Sequence, residues 1–251
     1  MQLTAMTYLI VCPLVFLAGV IDSVAGGGGL ISLPAYYLAG LPPVLAAGTN
    51  KLSACLGTVA STTRFVRGKK VDWRAGLFAA LGAFPGSWLG ALLLQRIPED
   101  SVRVLMICAI PLVAAVVLRK RQMTSRCLVP ERFYRPMALL IGFVVGFYDG
   151  LIGPGTGTFL ILMFTMALGM EAVLASGTAK IVNLASNVAA LISLLATGNV
   201  LIALGLPAAL CGIVGNWLGA GLAMKKGAGF IRYMLLVVLA LLLAKMVMDV
   251  L

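Results

Sequence analysis

The chain contains no histidine. That absence removes Ser-His-Asp and Cys-His catalysis, and with them the commonest protein ligand of zinc, copper and haem. Charge is scarce too: Asp, Glu, Lys and Arg make up 11% of the 251 residues, about half the share usual in soluble proteins. Acids are scarcest, 8 against 19 bases. The five cysteines, Cys12, Cys55, Cys108, Cys127 and Cys211, show no CxxC spacing, so they are read as neither a metal site nor a disulfide framework. What fills the chain instead is apolar: 61% hydrophobic residues and a mean hydropathy of +1.08. A soluble globule of this size needs polar side chains to cover its surface. The composition therefore excludes a disordered chain, a disulfide scaffold and a water-soluble enzyme. It implies a multi-spanning helical membrane protein.

A net charge of +11 would suggest nucleic acid in a soluble protein. Here 14 of the 19 basic residues fall in three stretches between apolar segments. The positive-inside rule accounts for them, and no nucleic-acid partner is read. No Lys or Arg precedes the first apolar run, so that run is read as a retained segment and not a cleaved signal peptide.

The apolar segments cover residues 3–25, 30–41, 44–66, 75–94 and 102–118, then 137–152, 158–169, 172–196, 200–223 and 230–250. Four in each half approach the length needed to cross a roughly 30 Å hydrocarbon core. The second in each half does not; about 12 residues make only about 18 Å of helix, a half-span or re-entrant piece.

The two halves repeat each other. Gly86-Ser-Trp88-Leu-Gly90-Ala recurs as Gly215-Asn-Trp217-Leu-Gly219-Ala, shifted by 129. Gly19-x-x-Asp22-x-x-x-Gly26-x-Gly28 recurs as Gly146-x-x-Asp149-x-x-x-Gly153-x-Gly155, shifted by 127. Ala47-Gly48-Thr49-Asn50-Lys51 recurs as Ser176-Gly177-Thr178-Ala179-Lys180, shifted by 129. Three matches in the same order with one small gap point to a duplication. The organisation read from this is a first repeat (1–118), a basic cytoplasmic linker (119–136) and a second repeat (137–251).

Orientation follows from charge. The loop with Arg64, Arg67, Lys69, Lys70 and Arg74 belongs inside, as does the linker. Arg96 and Arg103 are balanced by Glu99 and Asp100, which suits the outside. If the short segment crosses, Lys225, Lys226 and Arg232 also lie inside and the halves are inverted; if it re-enters, they lie outside and the halves are parallel. Charge favours inversion and segment length favours re-entry; inversion is the reading taken here.

Charge inside apolar segments is costly, about 2.5–3.5 kcal/mol at a helix centre on insertion scales. Only Asp22 and Asp149 are acids within such segments, and they are repeat-equivalent. Among bases, Lys245 lies near the terminus and can snorkel or pair with Asp249. Lys51 and Lys180 remain, again repeat-equivalent. Three readings stand for the aspartates: caps of the neighbouring glycine turns, protonatable coupling sites, or ion pairs Asp22–Lys180 and Asp149–Lys51 between the repeats. The lysines either attract an anion or are structural.

Each aspartate precedes a glycine run, Gly26-Gly27-Gly28-Gly29 in one half and Gly153-Pro154-Gly155-Thr156-Gly157 in the other. Such runs break a helix and leave free N–H groups at the start of the next one, which favours anions. The spacing matches neither a Walker A loop nor a dinucleotide fingerprint. The third segment of each half is polar on one face, with Thr49, Asn50, Ser53, Thr58, Ser61 and Thr62 in the first. Ser176, Thr178, Asn183, Ser186, Asn187 and Ser193 decorate the second. Such a face turns inward and not toward lipid. Asn50 aligns with Ala179, so the site need not be symmetric. Gly82, Gly86, Gly90, Gly215 and Gly219 form small-residue packing stripes. Trp88, Trp217 and Tyr148 either pack or wall a pathway.

The stretches Asp22–Pro34, Gly40–Lys51 and Gly146–Gly157 resemble the two signatures of the TauE/SafE sulfite exporter family. The resemblance covers nearly the whole chain. It implies a transporter of the cell (inner) membrane that moves sulfur-containing anions such as sulfite, sulfoacetate or related organosulfonates, mostly outward. Ser176-Gly-Thr-Ala-Lys180 departs from the pattern by lacking the asparagine of the first repeat.

Together these readings give an all-α, polytopic membrane protein of two homologous, inverted repeats with glycine-broken helices and one short segment per half. Its partners are a small anion and the lipid bilayer; no cofactor and no metal are implied, and oligomeric state stays open. The expected substrate contacts are Gly26, Gly27, Gly28, Gly29, Thr49, Asn50, Lys51, Gly153, Gly155, Thr156, Gly157, Thr178, Lys180 and Asn183, with Asp22 and Asp149 as coupling or structural groups. An anion channel or a membrane-assembly protein is the alternative.

Overall fold

The computed structural model describes residues 3–98, 101 and 129–250. Among them every regular element is helical. The chain runs through α1 (Ala5–Ala25), α2 (Gly29–Leu38), α3 (Pro43–Arg67) and α4 (Trp73–Leu94). After a 3-10 turn at Glu131–Phe133 come α5 (Tyr134–Leu151), α6 (Thr156–Ala167), α7 (Ala172–Ala196) and α8 (Ile202–Val250). Gly227, at φ 71° and ψ −162°, breaks α8 into arms 202–226 and 228–250. The expected segment 102–118, most of the linker, and Glu99, Asp100, Arg103, Cys108 and Cys127 lie outside the described residues, as do the side chains of Arg232, Lys245 and Asp249.

By length and composition, Ala5–Ala25, Trp73–Leu94, Ala172–Ala196 and Ile202–Ile231 can each cross a membrane. The helix α3 is as long as α7, at 25 residues, but its mean hydropathy is lowered by buried Thr49, Asn50, Lys51, Ser53, Thr58 and Ser61. These polar groups are tolerated because they face protein. Local chemistry sets the helix starts. Pro43 opens α3, where its missing N–H costs nothing, and the Asp72 carboxylate accepts from Ala75 N at 3.0 Å to start α4.

The molecule has a basic end and a far end. At the basic end Gly68 packs on Met224, the Arg64 guanidinium lies over Trp217 at 4.9 Å, and Gly177 packs on the Lys70 carbonyl. Tyr134 Oη donates to Asp72 there at 2.6 Å, and Arg74 pairs with Glu131. At the far end Gly48 abuts the Asn199 carbonyl, Gln95 donates to Ser193 Oγ at 3.0 Å, and Tyr8 Oη donates to Ala203 O at 3.3 Å. So α3 runs from the far end to the basic end and α7 the other way. The helix α4 and the first arm of α8 are likewise opposed.

The short helices do not cross. Gly28 packs against Ala18 and Asp22, and Tyr36 joins Val11, Val15, Leu41 and Leu204 in one apolar cluster. Thus α2 doubles back along α1 to the far end. The pair α5–α6 does the same from the basic end: Phe164 and Leu168 cluster with Phe65, Ala75 and Ala138. The two turns meet. A Cβ on Gly26 would lie 2.3 Å from Gly157 Cα, and Thr158 Oγ1 donates to Ala25 O at 2.7 Å. Both orientations weighed from sequence took the first segment of each half as a complete crossing. Here Ala5–Ala25 keeps the length to cross, and it and the short segment form one hairpin, because the glycine run ends the first helix inside the protein, with Val24 and Ala25 fully buried. Re-entry and the grouping of Lys225 and Lys226 with Arg64–Arg74 are therefore compatible.

Each hairpin is clamped by a helix of the other half. On α4, a Cβ at Gly82, Gly86 or Gly90 would fall 2.2, 2.3 or 2.2 Å from the carbonyl oxygens of Leu139, Phe143 and Phe147 on α5. Gly215 and Gly219 of α8 meet the Phe16 and Val20 carbonyls of α1 at 2.2 and 2.4 Å in the same way. Backbones this close gain dispersion contacts that lipid cannot supply.

Candidate functional site

The four charges within apolar helices, three of them buried and Asp22 partly exposed, make two ion pairs. Lys51 Nζ on α3 lies 2.7 Å from Asp149 Oδ2 on α5. Lys180 Nζ on α7 lies 2.7 Å from Asp22 Oδ2 on α1. Each pair joins one half to the other, so the ion-pair reading of the aspartates describes the geometry. The capping reading is weaker: Gly28 N reaches Asp22 Oδ1 only at 3.4 Å. Removing one partner of such a pair typically costs about 3–5 kcal/mol, since the other charge is left buried.

The pairs differ in their surroundings. Asp149 also accepts from Thr156 Oγ1 at 2.8 Å and from Ser186 Oγ, and Lys51 donates a second bond to Asn187 Oδ1 at 3.1 Å. Lys180 is fully buried and gives its second bond to the Asp22 carbonyl at 2.5 Å.

A cavity of about 60 Å³, partly open to its surroundings, lies between the α1–α2 hairpin, α3, α7, α8 and the α5–α6 turn. Asn50, Lys51, Asn183, Gly26, Gly28, Gly29, Gly153, Thr156 and Gly157 line it, together with Asp22 and Asp149. The Oδ1 atoms of Asn50, Asn183 and Asn216 are buried and without a hydrogen-bond partner, and all three residues line this cavity. An orphaned buried acceptor costs about 1–3 kcal/mol, so three facing one space mark a place for a polar ligand.

Five of the expected contacts stand outside the lining: Gly27, Thr49, Gly155, Thr178 and Lys180. The two threonines are latches. Thr49 Oγ1 accepts from Leu201 N at 3.0 Å and Thr178 Oγ1 from Asp72 N at 2.9 Å, fixing the chain where α8 and α4 begin. Lys180 is turned wholly onto Asp22, and Gly155 serves α6 as a cap at φ 82°. Trp217 carries Arg64 and Arg67 at the basic end, and Tyr148 Oη holds the second turn through Pro154 O at 2.7 Å. Neither walls the cavity.

Sequence reasoning missed Asn216 and Ser32 as lining residues and did not single out Ser53 or Asn187 for the site. Asn216 had a visible signal: it is the one polar change in the repeated Gly-x-Trp-Leu-Gly motif that replaces a small hydroxyl, Ser87, by a carboxamide. Ser32 is the one serine in a short helix of otherwise apolar and aromatic residues. Cys12, Cys55 and Cys211 are free thiols, and among the described residues no three His, Cys, Asp or Glu side chains group as metal ligands.

A family profile described as "Sulfite exporter TauE/SafE" matches residues 11–246. The chain is 35% identical over 233 residues to the "Probable membrane transporter protein YfcA" of Escherichia coli K12, covering 93% of this chain and 87% of that protein. It is 36% identical over 234 residues to a "Probable membrane transporter protein" of Haemophilus influenzae, covering 93% and 92%. A third relative, "Probable membrane transporter protein YunE" of Bacillus subtilis, is 24% identical over 250 residues, covering 90% and 86%. No solved structure matches the chain.

Proposed function

Because the chain belongs to the TauE/SafE sulfite exporter family, we propose that it carries small sulfur-containing anions such as sulfite, sulfoacetate or related organosulfonates outward across the inner membrane. Its coarse identity is a multi-pass membrane transporter and not an enzyme. The observation that carries the finer reading is the cavity at the meeting of the two hairpin turns, lined by Lys51 and by the carboxamides Asn50, Asn183 and Asn216. A carboxamide also offers two N–H donors to an oxyanion, and the glycine turns bring further backbone N–H groups nearby. The halves are inverted repeats in this reading; the opposed directions of α3 and α7, and of α4 and α8, support it. Alternating access then moves the halves about a fixed central site.

Flux tests it. Vesicles containing the purified protein and loaded with sulfite should release it faster than protein-free vesicles, with a rate that saturates in sulfite. Absence of flux for sulfite, sulfate, thiosulfate, sulfoacetate and taurine alike would remove the substrate reading. Stepped currents in a planar bilayer would make the protein a channel.

A further inference from the structure

The two ion pairs are related by the repeat, yet the cavity treats them differently. Lys51 lines it and shares its ammonium between Asp149 and Asn187. Lys180 does not line it, is fully buried, and gives both described bonds to Asp22. Their carboxylates differ as well. If Lys51 leaves, Asp149 keeps the Ser186 hydroxyl and that of Thr156, whose one proton is shared with the Gly153 carbonyl. If Lys180 leaves, Asp22 keeps only the long contact from Gly28 N. The positions matching Thr156 and Ser186 are Gly29 and Gly57, which carry no donor side chain. A buried carboxylate that retains hydrogen bonds stays ionised at far lower cost than one left bare.

Asp22 borders the cavity, but the space around Lys180 is closed. Asn50 and Ser53 are replaced there by Ala179 and Val182, which are at most 1% exposed. Residues 159–161, opposite Ser32, are Phe-Leu-Ile.

We propose that Lys51 is a transferable cation: an oxyanion entering the cavity takes its ammonium from Asp149, while Thr156 and Ser186 hold the released carboxylate and Lys180–Asp22 stays locked. This rests on the reading of the protein as an anion transporter with its site in this cavity. The pairs leave the cavity near neutrality before binding, so a substrate must compete with Asp149 for Lys51. One anion binds per chain, at the first pair only.

Calorimetry of the full chain in detergent, with sulfite and sulfate as probes, tests the proposal. Wild type should bind one anion per chain. Asp149→Asn removes the competitor and keeps one acceptor oxygen for Thr156 or Ser186, so its Kd should fall about tenfold or more. Lys51→Met with Asp149→Asn leaves no unpaired buried charge and should fold but bind about tenfold more weakly or not at all. Unchanged or weaker binding by a folded Asp149→Asn, binding like wild type in the double variant, or a stoichiometry of two would overturn it. Should Asp149→Asn alone fail to fold, the double variant decides. If wild type binds neither probe, the underlying anion-site reading fails first, which separates that failure from this one.

Discussion

At the scale of single residues, chemistry that looks equivalent in sequence serves different ends. Thr49 and Thr178 were expected to touch substrate because each stands beside a buried lysine. Both instead anchor a neighbouring helix start by accepting one backbone N–H. Valine has nearly the same shape without the acceptor. Thr49→Val and Thr178→Val should each cost about 1–3 kcal/mol, the price of an orphaned buried N–H. That corresponds to roughly 2–4 °C of thermal midpoint per kcal/mol for a chain of this size. Sulfite affinity of the folded variants should stay within about twofold of wild type. A large loss of affinity at unchanged stability would return these hydroxyls to the binding site. The polar face of α3 and α7 was legible residue by residue, but which hydroxyl faces the cavity was not. That depends on the rotation of each helix against partners far away in the chain.

At the scale of elements, the glycine turns are the feature the sequence announced most clearly. Breaks after Asp22 and Asp149 follow from the low helix propensity of glycine. What the breaks produce was not legible. Whether a short helix continues across or doubles back depends on what receives it, and the receiving surfaces are α1 and α3 for the first short helix and α5 and α7 for the second. Two substitutions separate conformation from packing at a turn. Gly40→Ala meets nothing within 4 Å and pays only for φ +82°, about 1–2 kcal/mol. Gly26→Ala has a similar φ of +75° but puts its Cβ 2.1 Å from the Gly157 carbonyl carbon. It should therefore be the more damaging by several degrees of thermal midpoint in detergent, and it should reduce flux as the hairpin turns separate. Equal effects would mean the two turns do not depend on their contact. The stripes behave alike: the stretch that reads only as small-xxx-small proves to be a pair of matching clamps, Gly82–Gly90 on one hairpin and Gly215–Gly219 on the other.

At the scale of the whole molecule, the arrangement gathers basic residues at one end. Arg64, Arg67, Lys70, Lys225 and Lys226 all belong to segments that meet where Gly68 packs on Met224. Cysteines placed at Lys70 and Lys225 should therefore react with an impermeant maleimide from the same face of the membrane, the cytoplasmic one by the charge rule. A cysteine at Thr197, which bonds Gln95 at the far end, should react from the other face. Labelling of Lys70→Cys and Lys225→Cys from opposite faces would contradict the shared end. The sequence by itself determined that this is a helical membrane protein and that four charges lie within its apolar segments, and its recurring motifs carry the reading of two corresponding halves. Those conclusions rest on composition and on the near absence of charge from long apolar runs, which are properties of the chain alone. Tertiary structure decided which lysine meets which aspartate, which of the two lysines borders the cavity, and that the short helices return to the end they came from. The ion pairs turn on contacts between residues about a hundred or more positions apart, where helix rotation and backbone approach are set by packing and leave no local mark.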